Sequence, residues 1–279
     1  MGFSVQYVLI LTKSGQEQAF ALGREILHWL QARGVQSQIL DHERFRNQTG
    51  PEGERPDLIL VLGGDGTMLS VARKMGIKRI PMLGLNLGQV GFLTELCSRR
   101  WAPVLQEILQ GNFFLSPRII LEYQVLRQDS LLEKGRVVND LVVSRGGMAR
   151  LAKLKVSYGQ REMSVFRADG LIVCTPTGST AYAVAAGGAL LSPELEVLQL
   201  CPICPFLSGF KPVVLPSRES LEVEILDHSP DMFLTQDGQS GLALAAGDRV
   251  LISQSRERLY FAQPLGSSYV EKLKLKGYL

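Results

Sequence analysis

Five consecutive apolar residues, Leu58–Leu62, run without a break into Gly63-Gly64-Asp65-Gly66-Thr67, and a stretch of helical character, Met68–Met75, follows. A strand with no polar residue has to be covered on both faces. A parallel sheet flanked by helices does this, whereas a strand open to water on one side alternates polar and apolar residues. The flanking sequence repeats the pattern. Val5–Leu11 and Ile80–Leu85 read as further buried strands, and Ser37–Leu40 as a shorter one. Phe20, Ile26, Leu27 and Leu30 fall on helical spacing closed by Gly34, and Trp101–Leu109 reads as another helix. Asp41–Pro56, charged and rich in turn formers, reads as a mobile surface loop.

From about residue 117 the texture changes to short strand-like runs: Ile119–Leu126, Leu141–Val143, Lys153–Tyr158, Leu171–Cys174, Leu221–Ile225 and Val250–Ser253. A single helical stretch, Ala181–Leu191, interrupts them. The expected fold is an α/β N-terminal domain with a parallel sheet over 1–116, then a mostly-β C-terminal domain of two packed sheets over 117–260. A basic tail, 261–279, is expected to return to the first domain.

With 46% hydrophobic and 20% charged residues the chain can build a core, which excludes bulk disorder. A net charge of +3 without basic stripes interleaved with aromatics argues against a nucleic-acid partner. No run approaches 18 apolar residues, and Met1–Thr12 lacks a basic start and a small-residue cleavage site, so neither a membrane span nor a secretory signal is expected. Four cysteines in 279 residues do not make a disulfide scaffold, and a cytoplasmic location is the expectation. Cys201-Pro202-Ile203-Cys204 has redox or zinc spacing, but it lacks a second ligand pair and reads as structural.

Three motifs carry chemistry. Glycines at the carboxyl end of a buried strand let the backbone approach phosphate oxygens, and helix N-terminal N–H groups favour anions. Asp65 is the informative residue in that turn, because a carboxylate beside a phosphate site is electrostatically unfavourable. It makes sense as a hydroxyl or metal ligand, or as a proton acceptor in phosphoryl transfer. A tight turn with Asp65 as a helix cap is an equal reading of the turn alone. The second motif is Asp169-Gly170 followed by Thr175-Pro176-Thr177-Gly178-Ser179-Thr180-Ala181-Tyr182, which places hydroxyls between a strand and a helical segment. The third, Asn139-Asp140, offers an amide beside a carboxylate and suits a vicinal diol. A plain turn is an open reading of each. The chain has neither G-x-x-x-x-G-K-[ST] nor G-x-G-x-x-G, which excludes a P-loop and weighs against a dinucleotide dehydrogenase.

In order, GGDGT, Gly84–Leu93 (GLNLGQVGFL), Asn139–Gly146 (NDLVVSRG), Phe166–Gly188 (FRADGLIVCTPTGSTAYAVAAGG), Pro202–Phe206 (PICPF) and Asp237–Gln239 (DGQ) resemble the NAD kinase family over residues 57 to 262. The resemblance implies ATP-dependent phosphorylation of the 2′-hydroxyl of the adenosine ribose of NAD. It implies NAD and ATP as substrates, a divalent cation (Mg²⁺) bound with ATP and no protein metal site, and a homodimer or homotetramer. Asp65 is implied as proton acceptor, with Gly66 in the phosphate turn and Phe92 against the adenine. Asn139 and Asp140 would hold ribose or phosphate. Arg167, Asp169, Thr180, Ala181, Tyr182 and Ala185 would line the dinucleotide site, with Arg150 and Gln239 as further contacts. Two positions depart from the family pattern: Asp140 stands where Glu is usual, and Phe206 where His is common. They keep alive a weakened NAD(P)-binding regulator, and the shared GGDGT turn keeps alive a lipid kinase.

Overall fold

A computed structural model of the chain describes residues 5–47, 54–75, 79–89, 91–147, 150–207, 209–227 and 231–279. It forms two compact units, Met1–Pro117 with Leu259–Leu279, and Arg118–Arg258.

In the first unit the strands β1 (Tyr7–Thr12), β2 (Gln36–Asp41), β3 (Leu58–Leu62), β4 (Met82–Asn86) and β5 (Leu96–Cys97) alternate with helices α1 (Glu17–Gln31), α2 (His42–Asn47), α3 (Asp65–Met75) and α4 (Trp101–Leu109). The strands lie parallel in the order β2-β1-β3-β4, with β5 on β4. Every residue of β1 and β3 is buried, as an uninterrupted apolar run requires. Val8, Ile10, Leu58, Leu60, Leu83 and Leu85 form one core with Ile26 and Leu30 of α1 and Leu105 and Ile108 of α4. Alternation along β4 turns Gly84 to the opposite face. There a Cβ would stand 3.0 Å from Met68 Sδ, so α3 covers that side. Trp29 and Trp101 pack edge to face at 5.4 Å.

Two expectations change in this unit. Residues 42–47 of the expected loop form α2, because Asp41 accepts the N–H groups of Glu43 and Arg44 and caps the turn. The stretch 48–53 of that loop lies outside the described residues. Phe20, placed on the apolar stripe of α1, is 47% exposed.

The second unit holds most of β6 (Phe113–Arg127), then β7 (Ser130–Val137), β8 (Asp140–Arg145), β9 (Ala152–Tyr158), β10 (Arg161–Ala168), β11 (Gly170–Cys174), α5 (Tyr182–Ala185), β12 (Val197–Ile203), β13 (Val213–Pro216), β14 (Leu221–Ile225), β15 (Met232–Gln236) and β16 (Ser240–Leu244). It also holds the start of β17 (Arg249–Pro264), after which comes α6 (Tyr269–Leu275) in the first unit. One antiparallel sheet has the order β13-β12-β11-β8-β15-β16. In the other, β10, β9, β14 and β17 pair antiparallel in that order. Leu141, Val143, Leu171, Val173, Leu198, Leu200 and Leu234 from the first sheet share a core with Leu154, Val156, Leu221, Val223, Val250 and Ile252 from the second. This α/β unit followed by a two-sheet β unit is the fold class read from the sequence.

The helical stretch expected over Ala181–Leu191 is a correction. The chain makes a 3-10 turn, Thr177–Thr180, then the single turn α5. Ser179 and Thr180 hydroxyls bond back to main-chain carbonyls, and Ser179 Oγ also accepts the Leu191 N–H, so side chains replace helical bonds. Gly187, at φ +79, ends the turn.

Candidate active site

Strand β3 delivers the first group. The Gly63 N–H is bonded to the Leu85 carbonyl on the neighbouring strand, and α3 begins two residues later. A side chain at position 63 would strike Thr67 Oγ1 at 2.6 Å, so glycine is required by close approach. At Gly66 a Cβ would meet nothing within 4 Å, which leaves open space beside the backbone at the helix start. Asp65 does not cap its own helix. Its Oδ2 accepts the Phe92 N–H at 2.8 Å and its Oδ1 the Leu93 N–H at 3.1 Å. The carboxylate is thus fixed against the 91–93 segment with a lone pair free on each oxygen. The position in the first turn also favours its negative charge. Phe92 is half-buried, its ring 6.0 Å from Tyr278.

The second group lies entirely within the β unit, on the outer face of the sheet containing β8. Asn139 and Asp140 precede and open β8, and their backbone is drawn onto one carboxylate. Asp237 Oδ1 accepts the N–H groups of Val138, Asn139 and Asp140 at 3.2, 2.7 and 3.2 Å. From the other side the Thr175-Pro176-Thr177-Gly178 turn presses in. Thr175 bonds Val138 and Asn139 carbonyls, and a Cβ at Gly178 would sit 2.2 Å from Asn139 O. A cavity of about 350 Å³ results, lined by Asn139, Asp140, Ala181, Tyr182, Asp237 and neighbours from β8 and β15.

Its electrostatics are unusual. Asp140 is 4% exposed, and burial first, then the Asp237 carboxylate, raise its pKa from 3.8 to about 7, partly offset by the Tyr182 N–H. Asn139 Oδ1 is buried with no protein partner. A buried acceptor without a donor beside a carboxyl group is an arrangement that a ligand's hydroxyls can complete.

The remaining residues are distributed differently. Tyr182 is 48% exposed, and Thr180 Oγ1 reaches the Thr177 carbonyl. Arg167 pairs with Asp227 at 2.8 Å, and Asp169 with Arg145 at 2.6 Å. Arg150, Ala185 and Gln239 are exposed, and among the described residues none of these three is a wall of the cavity. Cys201 is buried and Cys204 exposed, both as free thiols. Sequence reading quoted Asp237 and Arg145 within the DGQ and NDLVVSRG motifs and gave neither a role of its own. The Asp237-Gly238 pair is a turn signal at a strand end, and that signal could have drawn attention to Asp237 as well as Gln239.

Comparison with known proteins adds independent information. Residues 46–113 match the ATP-NAD kinase N-terminal domain and residues 138–263 the ATP-NAD kinase C-terminal domain. An NAD kinase of Nitratidesulfovibrio vulgaris (strain Miyazaki F) is 42% identical over 279 residues, covering 100% of this chain and 99% of the relative. One from Citrifermentans bemidjiense is 38% identical, covering 96% and 97%. The crystal structure of yeast NADH kinase complexed with NADH superposes with a TM-score of 0.86 over 99% of this chain and 88% of that one; at 24% identity this likeness speaks to the fold. The structure of an Archaeoglobus fulgidus NAD kinase in complex with ATP gives a TM-score of 0.72 at 26% identity, over 92% and 94%. Matched by both domain descriptions and by relatives along its full length, this chain belongs to the NAD kinase family.

Proposed function

We propose that this NAD kinase transfers the γ-phosphoryl group of ATP to the 2′-hydroxyl of the adenosine ribose of NAD, with Asp65 accepting the hydroxyl proton. The observation that carries this reading is the doubly held Asp65 carboxylate at the start of α3, beside open space at Gly66. As the 2′-oxygen attacks phosphorus in line, the O–H bond breaks toward Asp65 and ADP departs. Little covalent chemistry is asked of the protein, so positioning and charge neutralisation dominate. Glycine-flanked backbone N–H groups at the helix start suit the phosphate oxygens.

Asn139, Asp140 and Tyr182 are the residues we assign to the dinucleotide, since they share one cavity. The yeast structure is a complex with NADH and the archaeal one a complex with ATP, which supports these substrate classes here. The divalent cation enters as part of the ATP substrate. Phosphate oxygens are the ligands we assign to it. Arg150, Arg167, Asp169, Thr180, Ala185 and Gln239 keep the roles that the family resemblance implies. Among the described residues no helix is long and apolar enough to cross a membrane. A cytoplasmic homodimer or homotetramer is our reading of the family.

The test is NADP formation from NAD and ATP·Mg²⁺, read through an NADP-specific dehydrogenase, with Asp65→Asn beside the wild type. The variant is expected to lose about 10²- to 10⁴-fold in kcat, the usual worth of a positioned base, and to keep its NAD affinity. Equal loss of turnover and of NAD binding would remove Asp65 from the role of base. The amide that replaces the carboxylate leaves one of two N–H groups without its acceptor, a cost of about 1–3 kcal/mol, so thermal melting belongs in the same experiment.

A further inference from the structure

Lys272, on α6, is 9% exposed, and its ammonium has two acceptors: Glu95 Oε1 at 2.6 Å and the Phe92 carbonyl at 3.1 Å. The second contact separates it from a plain buried ion pair. The carbonyl of Phe92 and the N–H of Leu93 belong to one rigid peptide group. That N–H donates to Asp65 Oδ1, so a continuous line runs from the Lys272 cation through a single peptide to the Asp65 carboxylate. A cation on a carbonyl oxygen polarises the amide and strengthens the N–H as a donor. It also fixes the plane of the 92–93 peptide, from which the Leu93 N–H bond to Asp65 comes; the Phe92 N–H belongs to the peptide before it.

The ammonium is itself held. Glu95 accepts Gln263 Nε2 at 2.8 Å and Ser267 Oγ at 3.2 Å, the extra bonds that a buried ion pair needs to offset desolvation. Tyr278, past the end of α6, faces the Phe92 ring. Gln263, Ser267, Lys272 and Tyr278 thus all bear on the 92–95 segment, and all come from one C-terminal stretch, 263–278.

We propose that Lys272 is a positioning residue for phosphoryl transfer. It sets the 92–93 peptide against which the Asp65 carboxylate is held, and so makes α6 a working part of the catalytic apparatus. The proposal rests on Asp65 being the proton acceptor. If Lys272 served stability alone, its loss would lower the melting temperature and leave kcat per folded molecule unchanged.

The test pairs Lys272→Met with Glu95→Gln in one chain, so that no buried carboxylate is left without its cation, and sets it beside Lys272→Arg. Each chain is assayed for kcat and for KM of NAD and ATP after folding is confirmed by circular dichroism, with and without Asp65→Asn. The expected result is a 10- to 100-fold loss of kcat in the paired variant, KM for NAD within about twofold, and substantial recovery of kcat with arginine. With Asp65 already replaced, the same pair should change the residual rate less than about twofold, since residues acting through one another are not additive. An unchanged kcat in the folded paired variant overturns the proposal, as does an equal fold-loss with Asp65→Asn present. Wild-type turnover in the Asp65→Asn single variant overturns the reading of Asp65 and this proposal with it. That outcome is read from a different chain and is distinguishable from failure of Lys272 alone.

Discussion

Replacing Asp140 with asparagine should stabilise the protein in mild alkali and not in acid. In the fold, burial and the facing Asp237 carboxylate raise the Asp140 pKa from 3.8 to about 7. The native state therefore binds its proton more tightly than the unfolded chain does. Between these two values the native state carries more protons, so stability is full below the lower value and is lost as pH rises through about 7. The gap is about 3 pH units, and at 1.36 kcal/mol per unit it corresponds to about 4 kcal/mol. From pH 5 to pH 8 about 3 kcal/mol should be lost. Asparagine keeps an acceptor for the Tyr182 N–H and has no proton to lose. Titrating groups remote from the cavity are common to both proteins and cancel in the difference. Urea unfolding followed by far-UV circular dichroism at pH 5, 6, 7 and 8 gives that difference directly. The variant should gain on wild type by up to about 3 kcal/mol across the series. A difference that stays constant within about 0.5 kcal/mol would show that Asp140 does not titrate in this range, and the electrostatic picture of the cavity would be wrong.

Gly91→Ala should displace the Asp65 carboxylate without replacing the residue. The new Cβ would stand 2.1 Å from Asp65 Oδ1, so the carboxylate must leave its two N–H donors, and kcat should fall on the order of 10²-fold, the effect of about 1 Å of misplacement. Unchanged turnover would show that the observed Asp65 geometry is not the reactive one. Burial pushes the Cys201 thiol up to about 11 and the Cys174 thiol higher still, with Cys201 adding to the effect on Cys174. Iodoacetamide at pH 8 should therefore modify exposed Cys204 well before either, as peptide mass spectrometry would show. Equal labelling of Cys201 would reopen a redox role for the Cys-x-x-Cys pair.

What can be read from the sequence follows the range of the interactions involved. The strands Leu58–Leu62 and Leu221–Ile225 are found with the boundaries expected, because an apolar run or a strict alternation is a local property. The α2 turn is hidden, since its cap depends on an Asp41 at the end of a strand whose apolar signal stops at Leu40. Ala181–Leu191 misleads because alanine and leucine favour helix, while the hydroxyls before them bond the backbone in a way that composition does not reveal. Within the candidate site, Asp65, Asn139, Asp140 and Tyr182 stand out because their motifs are contiguous. The Asp237 bonds to residues 138–140 span about a hundred positions, and the Lys272 bond to Phe92 spans 180. No periodicity encodes such pairs.

The first unit is assembled from two separate pieces of chain, with the whole β unit between them. During synthesis, residues 1–117 and then 118–258 are polymerised before 259–279. The last part of β17 beside Met82 and the Lys272 anchor on Phe92 are therefore added to the first unit after the elements that precede them in the chain. A polypeptide cut short before Lys272 would still contain both nucleotide motifs, yet would lack the ammonium that holds the 92–93 peptide against Asp65. Ordering of the Asp65 carboxylate by that peptide thus waits on synthesis of the Lys272 segment, and a product cut short before it is predisposed to bind dinucleotide without turnover.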